Sequence, residues 1–269
     1  MSAPRFALPV AGGELDAALA AGFAGVVLDR AQAEDPAVTE ALKSSGLALA
    51  AVSWQPDLTD GHGVAMALNG INGFLDAAAA AGTQTLVVAA PSVPERARVA
   101  GRVTEAGARG LRDDEWQNLA DALNELGERC KARGLALAYL PRAGTWVETA
   151  NELKKLMSLT DSGLVGLALD TGHAAYSGWD ALQALDTYRW RLRLVTFQDL
   201  DPAVREVAQR HGLDLAEARR RGLFPAVGAG KLDLGAIAAK LAELEFDGWV
   251  AAAAPGDHAQ LAALFGAAV

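Results

Sequence analysis

The chain has 269 residues, of which 51% are hydrophobic and 21% charged, a balance typical of a globular protein that buries a large core. Its formal net charge of −9 argues against nucleic acid or an anionic membrane surface as the main partner. The single cysteine, Cys130, excludes an internal disulfide and fits a reducing cytoplasm.

The sequence predicts neither a targeting segment nor a membrane span. The N-terminal segment lacks a basic region followed by a long apolar stretch, so we expect no signal peptide. The apolar runs along the chain are broken by glycine and charged residues before they reach the roughly 18–20 residues that cross a membrane. These features together predict a cytoplasmic protein.

Short apolar runs alternate with longer amphipathic stretches along the whole chain. Eight strands are predicted, over residues 6–10, 24–28, 47–53, 85–90, 135–139, 165–169, 192–197 and 249–253. The clearest helix between them is predicted over residues 114–133, with Asp113 as its N-terminal cap and Gly134 at its end.

Continuous apolar strands that alternate with helices predict a parallel sheet covered on both faces. Eight such units fit a (β/α)8 TIM barrel of class α/β, predicted as one domain over residues 1–269. A doubly wound open sheet is the alternative, although no GxGxxG motif follows the first strand. A charged helical excursion is predicted at about residues 201–225. Its run Arg219–Arg221 is interpreted as a solvated helix face, with an anion site as the alternative.

The sequence LALDTGHAAYSG places two chemically active side chains just after the sixth strand. In a barrel, reacting groups lie where the strands end, at the C-terminal rim. Asp170 would end this strand, and His173 would reach in from the following loop. The purely structural alternative is an aspartate that caps the next turn and a histidine that is hydrogen-bonded to the backbone.

Several ordered motifs resemble those of the xylose isomerase-like TIM barrels, which include sugar epimerases, isomerases and inosose dehydratases. LALDTGHAAYSG resembles the DTGH segment of that family, and TYRWRLRLVTFQDLD stands where the family has Y-x-x-R-I-x-x-V-H-L-K-D. YLPRAGTWVET, RGLFPAVGAGKLDLGAI and FDGWV resemble the family's Y-H-P-H-x-G-T-x-V-E-T, G-x-F-x-x-x-G-x-G-x-x-D-F and Y-x-G-W-L. The similarity extends from about residue 20 to 255 and is closest to the inosose dehydratase branch.

This resemblance implies a divalent metal, commonly manganese, cobalt or magnesium, held by four side chains from four strand ends. The metal would polarise a sugar carbonyl while a nearby base moves the proton on the adjacent carbon. In this sequence only Asp170 keeps the family's ligand. The other three ligand positions fall on Leu140, Thr196 and Ala253, and leucine and alanine cannot bind a divalent ion. We therefore expect no cofactor and a degraded metal site.

Two further positions differ from the family. The second histidine of H-P-H falls on Arg142, and the lysine of L-K-D falls on Gln198. Three hypotheses follow: a non-catalytic binding or accessory subunit, a metal-free enzyme in which Arg142 replaces the metal's charge, and a metal enzyme with other ligands. Those other ligands would include Asp170, His173 and Asp199.

The predicted function is that of a sugar isomerase, epimerase or inosose dehydratase-like protein with a degraded metal site. Its partner would be a small sugar, keto-sugar or cyclitol, and the alternative is a non-catalytic pseudoenzyme. Asp170 and His173 are the predicted catalytic residues. The predicted ligand-binding residues are Arg142, Trp54, Gln198 and Thr196. The resemblance also makes a homodimer the default expectation.

Overall fold

The computed structural model describes residues 4–10 and 15–266 and contains a closed barrel of eight parallel strands in sequential order. The last strand pairs with the first, which closes the sheet. The predicted (β/α)8 barrel is therefore confirmed, and each strand lies within two residues of its prediction. The strands are β1 Arg5–Pro9, β2 Gly25–Asp29, β3 Ala48–Trp54, β4 Thr85–Val88, β5 Ala136–Tyr139, β6 Val165–Asp170, β7 Leu192–Phe197 and β8 Trp249–Ala252.

Helices surround this barrel and connect its strands. They are α1 Leu15–Ala20, α2 Arg30–Glu34, α3 Pro36–Ser45, α4 Gly61–Leu68, α5 Ile71–Ala80, α6 Pro94–Ala97, α7 Asp113–Lys131, α8 Ala150–Leu159, α9 Thr171–Tyr176, α10 Ala181–Tyr188, α11 Pro202–His211, α12 Leu215–Arg220, α13 Leu234–Glu243 and α14 His258–Leu264, with a 3-10 helix at Pro255–Asp257. The predicted excursion consists of α11 and α12. The ends of the predicted domain, residues 1–3 and 267–269, lie outside the described residues. No helix within the described ranges is long and apolar enough to cross a membrane.

Helix α7 begins one residue earlier than predicted, and this changes its cap. Asp113 is the first helical residue, so the prediction that it caps the helix was wrong. The N-cap is Arg112, whose backbone N–H donates to the Glu115 carboxylate at 2.7 Å. A glutamate at the third helical position can satisfy this exposed N–H, so the helix needs no aspartate at the cap. Gly134 follows the helix in the left-handed region, with φ 72°, as its terminating role requires.

Small residues and one large ring fill the inside of the barrel. The inner cluster contains the Trp249 side chain surrounded mainly by alanine and valine. A Cβ on Gly25 would lie 2.8 Å from the Trp249 ring, so β2 approaches the ring only because it carries glycine there. The indole therefore takes up the lumen space that larger residues occupy in other barrels, and the polar groups lie above it at the rim.

Alternation along the strands decides which side chains point into the lumen. The last inner-cluster residues of β5 to β8 are Ala138, Ala168, Leu194 and Ala251. Residues two positions further along a strand point to the same side. This places four residues in one layer above the inner cluster, at the C-terminal ends of β5 to β8. We call it the lumen layer, and it consists of Leu140, Asp170, Thr196 and Ala253. These are the four positions that the family resemblance assigns to metal ligands.

Candidate active site

Asp170 joins the end of β6 to the start of α9 and is half-buried. Its Oδ1 accepts a hydrogen bond of 3.0 Å from the backbone N–H of His173, which caps α9. Oδ2 is therefore the oxygen left for a ligand. Burial raises the pKa of the Asp170 carboxyl, because the charged form loses hydration, while the positive charges of Arg142 and Arg219 partly oppose that shift. The carboxyl is thus capped on one oxygen and poorly solvated on the lumen side.

The two residues after Asp170 fix the neighbouring strand end. The Thr171 hydroxyl donates to the Gln198 carbonyl at 2.7 Å and accepts from the Gln198 N–H at 2.9 Å. A Cβ on Gly172 would lie 2.8 Å from Cγ of Gln198, so glycine makes room for that side chain. Gln198 Oε1 is buried without a hydrogen-bond partner among the described groups. The D-T-G sequence therefore caps α9, fixes the end of β7 and leaves room for the Gln198 amide, whose oxygen is an unused acceptor among the described groups.

The His173 side chain is buried, 2% exposed, and contacts two donors. Its Nδ1 lies 3.2 Å from the backbone nitrogen of Ala143, and its Nε2 lies 3.0 Å from Nη2 of Arg219. Burial lowers the pKa of the imidazole well below its usual value, and the charges of Arg142 and Arg219 lower it further. The ring is therefore neutral at physiological pH.

No ring-to-carboxylate hydrogen bond joins the two predicted catalytic residues among the described contacts. Asp170 binds the backbone of His173, and the His173 ring contacts the backbone of Ala143. Both contacts of the structural alternative are thus present. The site differs from that alternative because Arg142 and Arg219 act electrostatically on both side chains.

Arg142 lies in a loop after β5 that a buried carboxylate holds in place. Glu148, 1% exposed, accepts from the N–H of Gly144 at 2.8 Å and from the N–H of Gly101 at 2.6 Å. Burial raises the pKa of Glu148, and these two backbone donors oppose the shift. Gly144 adopts φ 79°, which favours glycine at this turn. Sequence reasoning missed Glu148, because Gly101 lies 47 residues away and nothing local indicates their contact.

The excursion brings a second arginine to the site. Arg220 and Arg221 pair with Glu217 on the surface of α12, as a solvated helix face would. Arg219 instead reaches the His173 ring, and its guanidinium carbon lies 5.4 Å from the centre of the Phe224 ring. The structure therefore divides the arginine run, and the anion-site alternative applies to Arg219 only. Successive helical residues point about 100° apart, which is the signal that could have separated the three.

The other predicted ligand-binding residues fall in two places. Thr196 is the cross-strand neighbour of Asp170 in the β6–β7 register and lies in the lumen layer. Trp54 packs against the larger hydrophobic core cluster, on the helix side of β3. The centre of its ring lies 6.5 Å from the centre of the Phe74 ring. The Arg30 guanidinium covers the Trp54 ring at 4.9 Å. The structure thus places Thr196 beside Asp170 and does not bring Trp54 to them, because alternation turns residue 54 away from the lumen.

The side chains of the lumen layer do not fit a divalent metal. Leu140 and Ala253 offer only carbon atoms, Thr196 offers a neutral hydroxyl, and Asp170 is the one charged donor, beside two guanidinium groups. In the described part of the chain, no group of three or more His, Cys, Asp or Glu side chains could hold a metal ion.

Asp199, suggested above as a substitute metal ligand, already accepts hydrogen bonds from the backbone on both carboxylate oxygens. Both its oxygens accept backbone N–H groups, from Leu200 and Leu232 on Oδ1 and from Gly228 and Gly230 on Oδ2, at 2.8–3.0 Å. A carboxylate that accepts from four backbone N–H groups, three of them in the loop at residues 228–232, serves to hold that loop.

Comparison with known proteins supports the same family. The sequence profile of the xylose isomerase-like TIM barrel matches residues 15–267. An inosose dehydratase from Geobacillus kaustophilus (strain HTA426) is 42% identical over 149 residues, which are 55% of this chain and 48% of that protein. The chain thus spans about half the length of the curated relatives it matches.

Two solved structures share the fold at low sequence identity. A 3-keto-D-glucoside 4-epimerase from E. coli has a TM-score of 0.71 at 17% identity, over 97% of this chain and 98% of that one. An IOLI protein with a zinc atom has a TM-score of 0.69 at 13% identity, with the same coverage of both chains. Together with the profile match over residues 15–267, the closed eight-stranded barrel shows that this chain belongs to the xylose isomerase-like TIM barrel family.

Proposed function

We propose that this protein binds a small keto-sugar or cyclitol at the C-terminal rim of the barrel and moves a proton next to its carbonyl without a metal. The observation that carries the proposal is the half-buried Asp170 carboxylate, which lies in the lumen layer within the field of two guanidinium groups. Family membership supports a sugar-modifying activity, and the donor set of the lumen layer supports a mechanism without a metal.

Asp170 is suited to act as the general base. Its Oδ1 is fixed by the α9 cap, which orients Oδ2. A carboxylate with a raised pKa is a stronger base than an ordinary aspartate, and a pKa nearer the working pH favours proton transfer. His173 is neutral and contacts donors at both nitrogens, so we assign it to binding and not to proton transfer.

The proposed proton transfer uses only side chains of this protein and produces an enolate. Asp170 takes the proton from the carbon next to the carbonyl; the C–H electron pair forms the enolate double bond, and the carbonyl π pair moves onto oxygen. Arg142 would stabilise that oxyanion, because its positive charge acts at the same site as the Asp170 carboxylate. Return of the proton to the same face of that carbon restores the substrate, whereas delivery of a proton from water to the opposite face gives epimerisation. Transfer of the proton from Asp170 to the hydroxyl on the next carbon releases water, re-forms the carbonyl and leaves a carbon–carbon double bond.

Two neutral groups support a polyol as the ligand. Among the groups that the structure describes, Gln198 Oε1 is a buried acceptor without a donor, and a ligand hydroxyl would satisfy it. Thr196 places a second hydroxyl-bearing side chain beside Asp170. Hydroxyl groups on adjacent carbons of a sugar match two neighbouring polar side chains of this kind.

A non-catalytic binding subunit is the second candidate. The observations that favour it are the aliphatic side chains at two lumen positions, Leu140 and Ala253, and the structural contacts that already engage Asp170 and His173. Under this hypothesis the rim would bind a sugar and leave all of its C–H bonds intact.

Hydrogen–deuterium exchange at carbon separates the two candidates without knowledge of the product. Keto-sugars and inososes would be incubated with the protein in D2O and chelator, and the C–H signals next to the carbonyl followed by NMR. We expect exchange by the wild type and a loss of at least about 100-fold in D170N, because the base is removed while the asparagine still caps α9. D180N is the matched control: Asp180 caps the exposed start of α10 in the same way, and its substitution should leave exchange unchanged.

The pH profile adds an independent criterion. Asp170 acts as a base only when ionised, so exchange should rise with pH and reach half its maximum above the pKa of about 3.9 of an ordinary aspartate. Sugar binding without exchange at any pH, in the wild type and D170N alike, would support the non-catalytic subunit and contradict the proposed step.

A further inference from the structure

The contacts of the His173 ring cannot both be hydrogen bonds. The Ala143 N–H faces Nδ1 at 3.2 Å, and a guanidinium N–H of Arg219 faces Nε2 at 3.0 Å. Backbone amides and guanidinium groups only donate, while a neutral imidazole has one acceptor nitrogen and one N–H. One of the two contacts therefore sets a donor against a donor.

The rigid partner decides which contact is the hydrogen bond. The backbone around Ala143 is fixed, since the Arg142 N–H donates to the Val147 carbonyl at 3.1 Å and the Gly144 N–H donates to Glu148. Residue 219 is exposed and lies near the end of the six-residue helix α12, so its long side chain is the adjustable partner. Nδ1 therefore accepts from Ala143, and Nε2 carries the proton that faces Arg219.

Two N–H groups that face each other across 3 Å can both be satisfied by one acceptor oxygen placed between them. The charges agree with this. Arg142 and Arg219 are close enough to act on each other and on Asp170, which leaves a net positive charge around one carboxylate. Within the described chain, neither guanidinium lies within 4.0 Å of a carboxylate oxygen, whereas Arg220 and Arg221 both pair with Glu217. The Phe224 ring packs against both the Arg219 guanidinium and the His173 ring and holds them together.

We propose that the ligand of this rim carries an anionic oxygen group, a carboxylate or a phosphate ester, which is held by the Arg219 guanidinium and the Nε2–H of His173 beside Arg142. This inference deepens the proposed function, since it names the substrate class of the same site. It depends on that proposal for the location of the ligand and not for the proton transfer.

Three ketoses that differ at one end test the inference by calorimetry: fructose, fructose 6-phosphate and 2-ketogluconate. We expect the wild type to bind at least one of the two anions about tenfold more tightly than fructose. R219Q should abolish that preference, because it weakens the binding of the anions far more than the binding of fructose. R220Q is the matched control, because Arg220 pairs with Glu217 on the surface, and it should behave as the wild type. The two anions differ in charge and geometry, so their order of affinity separates a phosphate from a carboxylate ligand.

Equal affinity for all three ketoses, no detectable binding of either anion, or an anion preference that survives R219Q would overturn the inference. The 15N shifts of the His173 ring give a second test: we expect the proton on Nε2, and a proton on Nδ1 would contradict the argument. Exchange in D2O separates this failure from that of the proposed function. Exchange of fructose protons by the wild type, together with equal affinity for all three ketoses, would retain the proton transfer and reject the anion site, and Arg219-dependent anion binding without exchange would do the reverse.

Discussion

Two carboxylates lie at neighbouring strand ends of the rim, Asp170 at the end of β6 and Asp199 just after β7. The groups that stabilise their charges differ, because they are mainly backbone N–H groups for Asp199 and include arginine side chains for Asp170. Asp199 is 1% exposed, and its two oxygens accept four backbone N–H groups, three of them from the loop at residues 228–232. Asp170 uses Oδ1 to cap α9 and otherwise lies in the field of two arginine side chains.

The difference shows how a structural carboxylate can be told from a candidate functional one. Backbone donors cannot move away when a ligand arrives, so Asp199 is occupied permanently and orders the loop. Side chains such as Arg142 and Arg219 can turn toward a ligand, and a half-buried carboxylate beside them keeps an unfavourable desolvation that a purely structural site would avoid. Burial alone does not separate these cases, whereas the identity of the donors does.

The same isosteric substitution at both positions is the strongest test of this contrast. D199N places an amide N–H2 against two backbone N–H groups and should lower the free energy of unfolding by roughly 2–4 kcal/mol. D170N keeps the cap and removes a poorly solvated charge, so stability at pH 7 should stay equal or rise. Urea unfolding of the two variants measures both effects.

The pH dependence of D170N stability follows from the same cause. The folded-state pKa of Asp170 is raised, so its ionisation disfavours the folded state above the unfolded-state pKa. Any gain from D170N should therefore be largest at neutral pH, shrink as the pH falls through the raised folded-state pKa, and be absent below about 4. A D170N variant that is destabilised as strongly as D199N would show that both carboxylates are structural.

Gly230 offers a smaller perturbation of the Asp199 side of the contrast. A Cβ there would lie 2.3 Å from Asp199 Oδ1 and 2.6 Å from the Leu200 carbonyl, so G230A must displace the loop. We expect a loss of about 1–3 kcal/mol in the free energy of unfolding. The matched control is G235A in the first turn of helix α13. The new methyl there would lie 3.6 Å from the Asp233 carboxylate, an ordinary contact, and alanine should stabilise the helix by up to about 1 kcal/mol. Equal effects of the two substitutions would contradict the close packing of Gly230 on Asp199.

The barrel was predictable because its signals are local. Each strand is a continuous apolar run next to a turn, and alternation from the inner cluster carries Leu140, Asp170, Thr196 and Ala253 to one layer without any knowledge of distances. Trp54 illustrates the same rule from the other side. Its position near a strand end suggested a ligand-stacking ring, but its parity along β3 turns it toward Phe74.

The rest of the site depends on contacts between distant segments. Arg219 meets His173 across 46 residues, and Glu148 meets Gly101 across 47. No pattern within α12 or the β5 loop indicates those contacts. Helical periodicity separates the direction of Arg219 from those of Arg220 and Arg221, but it does not show that one face of α12 lies over the rim. The capping role of Asp170 was predicted as the structural alternative. Of the two guanidinium groups near it, that of Arg142 was predicted to bind the ligand, and Arg219 was included only in the anion-site alternative.

We propose that this rim lacks the donors for a divalent metal although it keeps the barrel geometry, and a manganese titration tests this proposal most directly. The wild type and the variant L140E/T196H/A253E, which restores the three family ligand types around Asp170, would be compared by calorimetry after chelator treatment. We predict wild-type binding weaker than about 1 mM and about one equivalent of tightly bound manganese in the variant. One equivalent bound by the wild type with a Kd near about 1 μM would contradict the claim and require ligands other than the four side chains of the lumen layer.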